Sequence, residues 1–290
     1  MSVNPAISDM LAAYRCQNAQ EMFNALREIM QNIALLALSR TNFFQHAAFY
    51  GGTALRILYG LNRGSEDMDF TLLTTDESFD LGDYSEDLGN EFTSFGLHAV
   101  FTRKLKLTSE NIQSGFLKSN TQAQLLSIGL DEEMVRYFHP QSEIKIKVEV
   151  DVLPPEGGKT EIRYVYQPIP FAVRSCTLPT LLAGKLHAVL FRSWRTRVKG
   201  RDWYDLAWYA GKYPKYDVRH LENRARQSGD YTENQPLTAS LVEKLLAARL
   251  DNVDLEALKE DVRPFLKNVN DIAFWSKEFF LDVFRKLQAE

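Results

Sequence analysis

The sequence predicts an α+β fold: a β-sheet flanked by helices over residues 1–177, then a helical bundle over residues 178–290. Three observations carry this. Met68 to Leu72 and Ile144 to Val152 alternate apolar and polar residues with the period of a half-buried strand. A short apolar run, Ala47 to Tyr50, ends in Gly51-Gly52-Thr53 and passes into helical spacing from Thr53 to Leu61. From Leu178 onward the apolar spacing is almost wholly helical.

Taken in order, Gln17 to Leu38 is an amphipathic helix, with Met22, Leu26, Ile29, Met30, Ile33 and Leu36 on one stripe. In the helix from Thr53, Leu55, Leu58 and Tyr59 share a side. The acidic stretch from Thr74 to Glu91 (Asp76, Glu77, Asp80, Asp83, Glu86, Asp87, Glu91) reads as a solvated loop and the first turn of a helix over Glu86 to Phe95. Leu97 to Leu107 reads as a strand ending in Arg103, Lys104 and Lys106, bases that protect a sheet edge or face phosphate. Ile112 to Ile128 is strand-like in part. In Ile144 to Val152 the apolar side chains face one way, and Lys145, Lys147, Glu149 and Asp151 face the other. Pro154 to Gly158 is a break, after which Glu161 to Tyr166 and Phe171 to Cys176 are short strands closing the sheet. Leu178 to Arg192 is a helix with Pro179 in its first turn. The stripe Phe274, Phe279, Leu281, Phe284 and Leu287 is packing.

The chain has 290 residues, with 34 basic against 38 acidic side chains and a net charge of −4. That balance excludes a general polyanion binder and leaves any nucleic-acid contact to a local patch. No apolar run approaches the roughly 18 residues of a membrane span, and Met1 to Asp9 lacks the regions of a signal peptide. Cys16 and Cys176 lie far apart without metal-ligand spacing, as in a reduced, cytoplasmic protein. His98, His139 and His220 have no zinc spacing, and His187 reads as packing or surface.

The chemistry gathers around Gly51-Gly52-Thr53 and Asp67-Met68-Asp69. Asp67 and Asp69, two apart on a strand, project to one face. Adjacent carboxylates repel unless a cation sits between them. A glycine turn opening a helix offers N–H groups and a positive dipole end to an anion. Metal on one side and phosphate on the other is what nucleotidyl transfer requires. Ser65 stands just ahead of the pair, a turn residue able to cap or to touch a phosphate.

A second constellation follows Lys185. Arg192, Arg195, Arg197, Lys199 and Arg201 precede Asp202 and Asp205, which share a face at the start of a helix. Cations that grip phosphate benefit from carboxylates that orient them; the plainer reading is a basic loop beside an acidic helix end. Trp203, Tyr204, Trp208 and Tyr209 have the spacing of core aromatics, although such side chains also stack on bases.

The order strand, Gly-Gly-Thr, helix, Asp-x-Asp strand resembles the nucleotidyltransferase superfamily that includes DNA polymerase beta. Tyr50-Gly-Gly-Thr-Ala-Leu-Arg56 and Arg63-Gly-Ser-Glu-Asp-Met-Asp-Phe70 resemble more specifically the AbiEii/AbiGii toxins of type IV toxin–antitoxin systems, with the MenT-type toxins as relatives. Lys185 and the segment Arg197, Lys199, Asp202, Asp205, Leu206 extend the likeness to about Tyr209, with Gly200-Arg201 making the alignment of Lys199 less direct. The resemblance implies a nucleotidyltransferase-type mixed sheet as catalytic domain. It implies a helical domain that contributes a Lys/Arg/Asp half of the active site.

It also implies active-site roles for Asp67, Asp69, Lys185 and Asp202. Nucleotide binding falls to Gly51, Gly52, Thr53, Ser65, Lys185, Arg197, Lys199 and Arg201. Asp67 and Asp69 are the implied metal ligands for Mg²⁺, or Mn²⁺. A neighbouring strand supplies a third carboxylate in this superfamily; strand parity allows Glu149 or Asp151, and the sequence leaves both open. The implied substrates are an NTP and an RNA end, with tRNA the leading acceptor, and the implied partner is an antitoxin of winged-helix type. A small-molecule or protein acceptor is the alternative enzyme reading, and a non-catalytic nucleotide-binding or interaction module is the alternative outside enzymes.

Overall fold

The computed structural model describes residues 4–76, 78–104, 111–128, 130, 132–192 and 199–290, and the chain divides within them into two units. The first runs to Tyr59 and takes in Ser65–Pro154 and Ile162–Ser175. The second takes in Gly60–Gly64, Pro155–Glu161 and Cys176–Glu290. The short excursion at Gly60–Gly64 therefore belongs with the helical part of the chain.

The first unit begins with α1 (Pro5–Tyr14), which the apolar pattern does not announce. Its signal is the pair Asn4-Pro5: Asn4 Oδ1 accepts from the Ala6 N–H at 3.1 Å, and proline suits a first turn. Then come α2 (Ala19–Ser39), α3 (Phe43–His46), β1 (Ala47–Tyr50), α4 (Gly51–Tyr59) and β2 (Met68–Leu72). After a 3₁₀ turn at Leu81–Tyr84 follow α5 (Ser85–Ser94), β3 (Val100–Lys104), β4 (Ile112–Asn120), α6 (Thr121–Ser127), α7 (Glu132–Val135), β5 (Glu143–Asp151), β6 (Thr160–Val165) and β7 (Phe171–Cys176). The segment read as strand-like in part is thus strand, then helix. Asn120 ends the strand by accepting from the Ala123 N–H at 2.9 Å.

Seven strands form one mixed sheet in the order β3-β4-β5-β2-β1-β7-β6. β2 runs antiparallel to β1 and parallel to β5, and β1 runs parallel to β7. The inward side chains of β5, namely Ile144, Ile146, Val148 and Val150, are buried with Met68, Phe70 and Leu72 of β2 and the stripe of α2. β3 is an edge strand, and its Arg103 pairs with Asp80 rather than standing open to phosphate. Lys106 and Glu77 lie outside the described residues. The acidic stretch is not wholly solvated: Glu91 is buried and accepts from Arg40 Nη1 at 2.8 and 2.9 Å, because α5 packs on α2 and needs that carboxylate paired.

The second unit contains α8 (Leu178–Phe191), α9 (Gly200–Lys212), β8 (Lys215–Tyr216), α10 (Val218–Gln227), α11 (Ala239–Asp251), α12 (Leu255–Val262), α13 (Lys277–Lys286) and β9 (Gln288–Ala289). Its largely aliphatic core includes an aromatic cluster: Trp203 meets Phe280 edge-on at 5.0 Å, and Trp275 meets Phe280 at 5.1 Å. Trp203, Tyr204 and Tyr209 are buried there, as packing residues. The C-terminal stripe differs from the expected one. Ser276 caps α13 by accepting from the Phe279 N–H at 3.1 Å, so the helix begins at Lys277 and Phe274 stands outside it. Of the expected stripe Phe284 is buried, together with Phe280 and Val283, while Phe274 is 59% exposed.

Candidate active site

In the first unit the site begins where β1 gives way to α4. Tyr50 lies opposite Asp69 in the antiparallel register, so the next residue passes against the aspartate. That residue is Gly51, with φ at +82°, the left-handed region that favours glycine. A Cβ built there would overlap Asp69 Oδ2 and come within 3.1 Å of Asp69 Cβ and Cγ. Backbone conformation and space both require glycine. The helix opens at Gly51 itself, two residues ahead of the expected Thr53.

The strand carrying the carboxylates is held from beneath through its main chain. Thr53 is fully buried, its hydroxyl bonded to the Asp67 carbonyl and 2.8 Å from Ser65 Oγ. Gln31 of α2, also buried, donates from Nε2 to the carbonyls of Ser65 at 3.2 Å and Glu66 at 3.1 Å. Arg27 Nη1 reaches Glu66 Oε1 at 3.3 Å. Thr53 and Ser65 thus enter as supports of the carboxylate loop. Gln31 and Arg27 went unread because they lie one turn apart inside a helix whose apolar stripe explained everything else.

Asp67 and Asp69 are half-buried. The parallel register sets Asp69 beside Glu149 and Thr71 beside Asp151, so of the two open candidates Glu149 adjoins the pair. Glu149 Oε1 is 2.7 Å from Lys147 Nζ, while Asp151 Oδ1 accepts from the Leu153 N–H at 3.1 Å. Among the described residues, no three His, Cys, Asp or Glu side chains are gathered as a ready-made metal cage. The donors on offer are carboxylate oxygens on adjoining strands. This suits a hard cation such as Mg²⁺, which commonly takes one or two carboxylates and completes its shell with water and substrate phosphate.

The second unit holds a buried ionic cluster. Lys185 of α8 donates to Asp202 Oδ1 at 2.9 Å and to Asp205 Oδ2 at 2.8 Å. Asp205, fully buried, also accepts two 2.7 Å bonds from Arg63, at Oδ1 from Nε and at Oδ2 from Nη2. Burial presses the Lys185 ammonium towards neutrality, but Asp202 and Asp205 outweigh it and its pKa is raised. Arg63 follows the same balance, with burial overcome by Asp205. Burial pushes the Asp202 carboxyl up, yet Lys185, Arg192 and Lys199 together hold it down at about 2. Asp202 Oδ2 is buried with no hydrogen-bond partner among the described residues.

Of the remaining basic candidates, Lys199 is half-buried and its pKa is lowered by burial and by Arg192. Arg201 lies over the Phe265 ring at 4.2 Å. Arg195 and Arg197 lie outside the described residues. Gly200 has a packing reason: a Cβ there would overlap the Leu258 carbonyl oxygen and stand 2.8 Å from its carbon, so glycine lets α9 start against α12. Arg63 is the cluster member that sequence reasoning passed over. It stands in the quoted motif four positions before Asp67, but nothing local pairs it with Asp205.

The family profile described as "Nucleotidyl transferase AbiEii toxin, Type IV TA system" matches residues 33–283. The fold is similar to that of MenT4, a nucleotidyltransferase toxin from Mycobacterium tuberculosis H37Rv, at a TM-score of 0.53 and 16% identity over 96% of this chain and 87% of that one. It is also similar to JHP933 from Helicobacter pylori, at a TM-score of 0.51 and 18% identity over 91% of this chain and 89% of that one. At such identities the two structures speak for the fold. No curated protein matches the chain significantly.

Proposed function

We propose a reaction on one established premise: this chain belongs to the AbiEii nucleotidyl transferase toxin family of type IV toxin–antitoxin systems. It is a nucleotidyltransferase, and its genetic counterpart is an antitoxin. The reaction we infer is transfer of a nucleotidyl group from an NTP to an RNA end, with tRNA the leading acceptor. An acceptor hydroxyl oxygen bonds to the α-phosphorus, the bond from that phosphorus to the bridging oxygen breaks, and pyrophosphate leaves; the hydroxyl proton passes to solvent.

The observation that supports this reading best is the Asp69 carboxylate set against Gly51 at the opening of α4, with Glu149 in register beside it. The first N–H groups of α4 and its positive dipole end favour an anion, and Gly51 and Gly52 leave room for phosphate to approach the main chain. Asp67 and Asp69, with Glu149 as the proposed third ligand, would hold Mg²⁺ or Mn²⁺, whose charge lowers the pKa of an attacking hydroxyl and neutralises a departing pyrophosphate. Lys185, oriented by Asp202, is the proposed triphosphate-binding cation, with Lys199, Arg201 and Arg197 as further phosphate contacts. A net charge of −4 keeps the RNA contact local to such bases. The proposed antitoxin is a winged-helix protein.

The test is a transfer assay in which the purified protein meets total RNA, Mg²⁺ and each radiolabelled NTP in turn, with Asp67→Asn alongside. Label entering a small-RNA band with the wild type alone is the expected result. Label on protein, or none at all, would sink the RNA acceptor and redirect attention to protein or small-molecule acceptors.

A further inference from the structure

We propose that Arg63 is a positioning residue for Lys185, acting through the carboxylate of Asp205. The proposal rests on the reading above that Lys185 binds the triphosphate.

Asp205 Oδ2 accepts from both cations, from Arg63 Nη2 at 2.7 Å and from Lys185 Nζ at 2.8 Å. The guanidinium fork fixes the plane of the carboxylate, since two parallel bonds at Oδ1 and Oδ2 leave it no rotation. Lys185 Nζ spends a second N–H on Asp202 Oδ1 at 2.9 Å. An ammonium has three N–H groups in tetrahedral arrangement, so two fixed bonds set the direction of the third. A flexible lysine becomes a donor of defined aim.

Charge leads the same way. Lys185 faces two carboxylates, which alone would leave the trio at net −1, a poor environment for a triphosphate. Arg63 cancels Asp205 and brings the four groups to zero, so that Lys199 and Arg192, which act electrostatically on Asp202, leave the surroundings cationic. Arg63 is itself anchored. Its Nη1 donates to the Gly64 carbonyl at 2.8 Å, the Gly64 N–H donates to the Phe265 carbonyl at 2.8 Å, and Arg63 bridges to Leu266. An arginine needed only for solubility or as a surface pair would be neither buried nor held at so many points.

The experiment uses the full chain and measures steady-state transfer from MgATP, MgCTP, MgGTP and MgUTP to total RNA. The variants are Arg63→Lys, the charge-balanced pair Arg63→Gln/Asp205→Asn, and Lys185→Ala, each with its thermal melt. We expect Arg63→Gln/Asp205→Asn to fold and to lose kcat on the order of 100-fold, as misplacement of a catalytic group does, with a smaller rise in KM for the nucleotide, because a triphosphate-binding cation contributes to the ground state but most as charge shifts in the transition state. Arg63→Lys, which keeps the charge without the fork, should lie between that variant and the wild type. Wild-type kcat in folded Arg63→Gln/Asp205→Asn, or in folded Arg63→Lys should the pair not fold, overturns the proposal. An inactive Lys185→Ala beside fully active Arg63 variants removes Arg63 alone, whereas a fully active Lys185→Ala removes the reading of Lys185 itself.

Discussion

The two units hold their charged groups by opposite means. In the first, Asp67 and Asp69 are half-buried, and the main chain that carries them is held from behind: Gly51 against Asp69, Thr53 on the Asp67 carbonyl, Gln31 on the carbonyls of Ser65 and Glu66. In the second, Lys185, Asp202, Asp205 and Arg63 are fixed by one another, side chain to side chain, out of water. The difference suits the roles proposed above for the two sets. Carboxylates that take up a hydrated cation need open coordination sites and so are placed from behind. A cation that meets phosphate gains strength from a low-dielectric setting, which demands that its counter-charges be buried with it. The main-chain scaffold should then tolerate side-chain loss with modest change in stability, and the ionic cluster should not.

The largest effect separating them is expected from Asp205→Ala. It leaves Arg63 and Lys185 buried without their shared counter-ion, and breaking a buried pair in this way costs about 3–5 kcal/mol. Chemical denaturation should show that loss, whereas Asp69→Asn, a substitution of nearly equal volume at a half-exposed position, should change stability by less than about 1 kcal/mol. Equal losses in the two variants would erase the contrast.

Acid should reach the second unit first, by way of a group outside the cluster. His187 of α8 is buried, its ring Nε2 3.0 Å from Ser228 Oγ and 3.3 Å from Asp230 Oδ2. Burial, reinforced by Arg224, pushes its pKa down to about 4. An unfolded histidine titrates near 6.5, so the unfolded chain takes up the proton first. The contribution of the neutral ring is then fully present above that pH and is lost as pH falls towards 4. Asp202, held at about 2, shares the sign but acts lower, below the ordinary aspartate range. Melting temperature against pH should show the first descent in the wild type and a flatter curve in His187→Gln; superimposable curves would refute the assignment.

Gly51→Ala probes the main-chain scaffold directly. The left-handed φ costs roughly 1–2 kcal/mol for an L-residue, and the new methyl would displace the Asp69 carboxylate it overlaps. Transfer activity should fall on the order of 100-fold in a protein that still melts cooperatively. Retained activity would show that the close approach of Gly51 and Asp69 is not used.

What could be read beforehand follows the same division. β5 and β2 were legible because period-2 alternation is local and one face is buried. The glycine turn and the Asp-x-Asp were legible because strand, turn and strand succeed one another within Ala47–Leu72. The motif resemblance agrees with a family match that runs on well past Tyr209, to residue 283. Pairings between distant positions left no local trace: Arg40 with Glu91, and Arg63 with Asp205. Each is an ordinary charged residue until the fold removes water from it. The exposed position of Phe274 escapes an apolar-periodicity argument because a capping serine, Ser276, starts α13 only after it.

The smallest expected effect on stability sharpens the comparison most. Among the described residues, the Gln31 amide donates to the carbonyls of Ser65 and Glu66, just ahead of Asp67. Gln31→Leu keeps the apolar stem and removes both donors. Net hydrogen-bond contributions of this kind are about 1 kcal/mol each, and leucine burial on α2 recovers part of the loss, so the melt should shift by only a few degrees. If the carboxylates are placed through their main chain, transfer activity should nevertheless fall by more than the stability change accounts for, on the order of tenfold, as small displacements at a reacting centre do. Activity tracking the folded fraction alone would mean that Thr53 and Gly51 suffice to hold the loop, and that Gln31 serves only to satisfy two carbonyls beneath it.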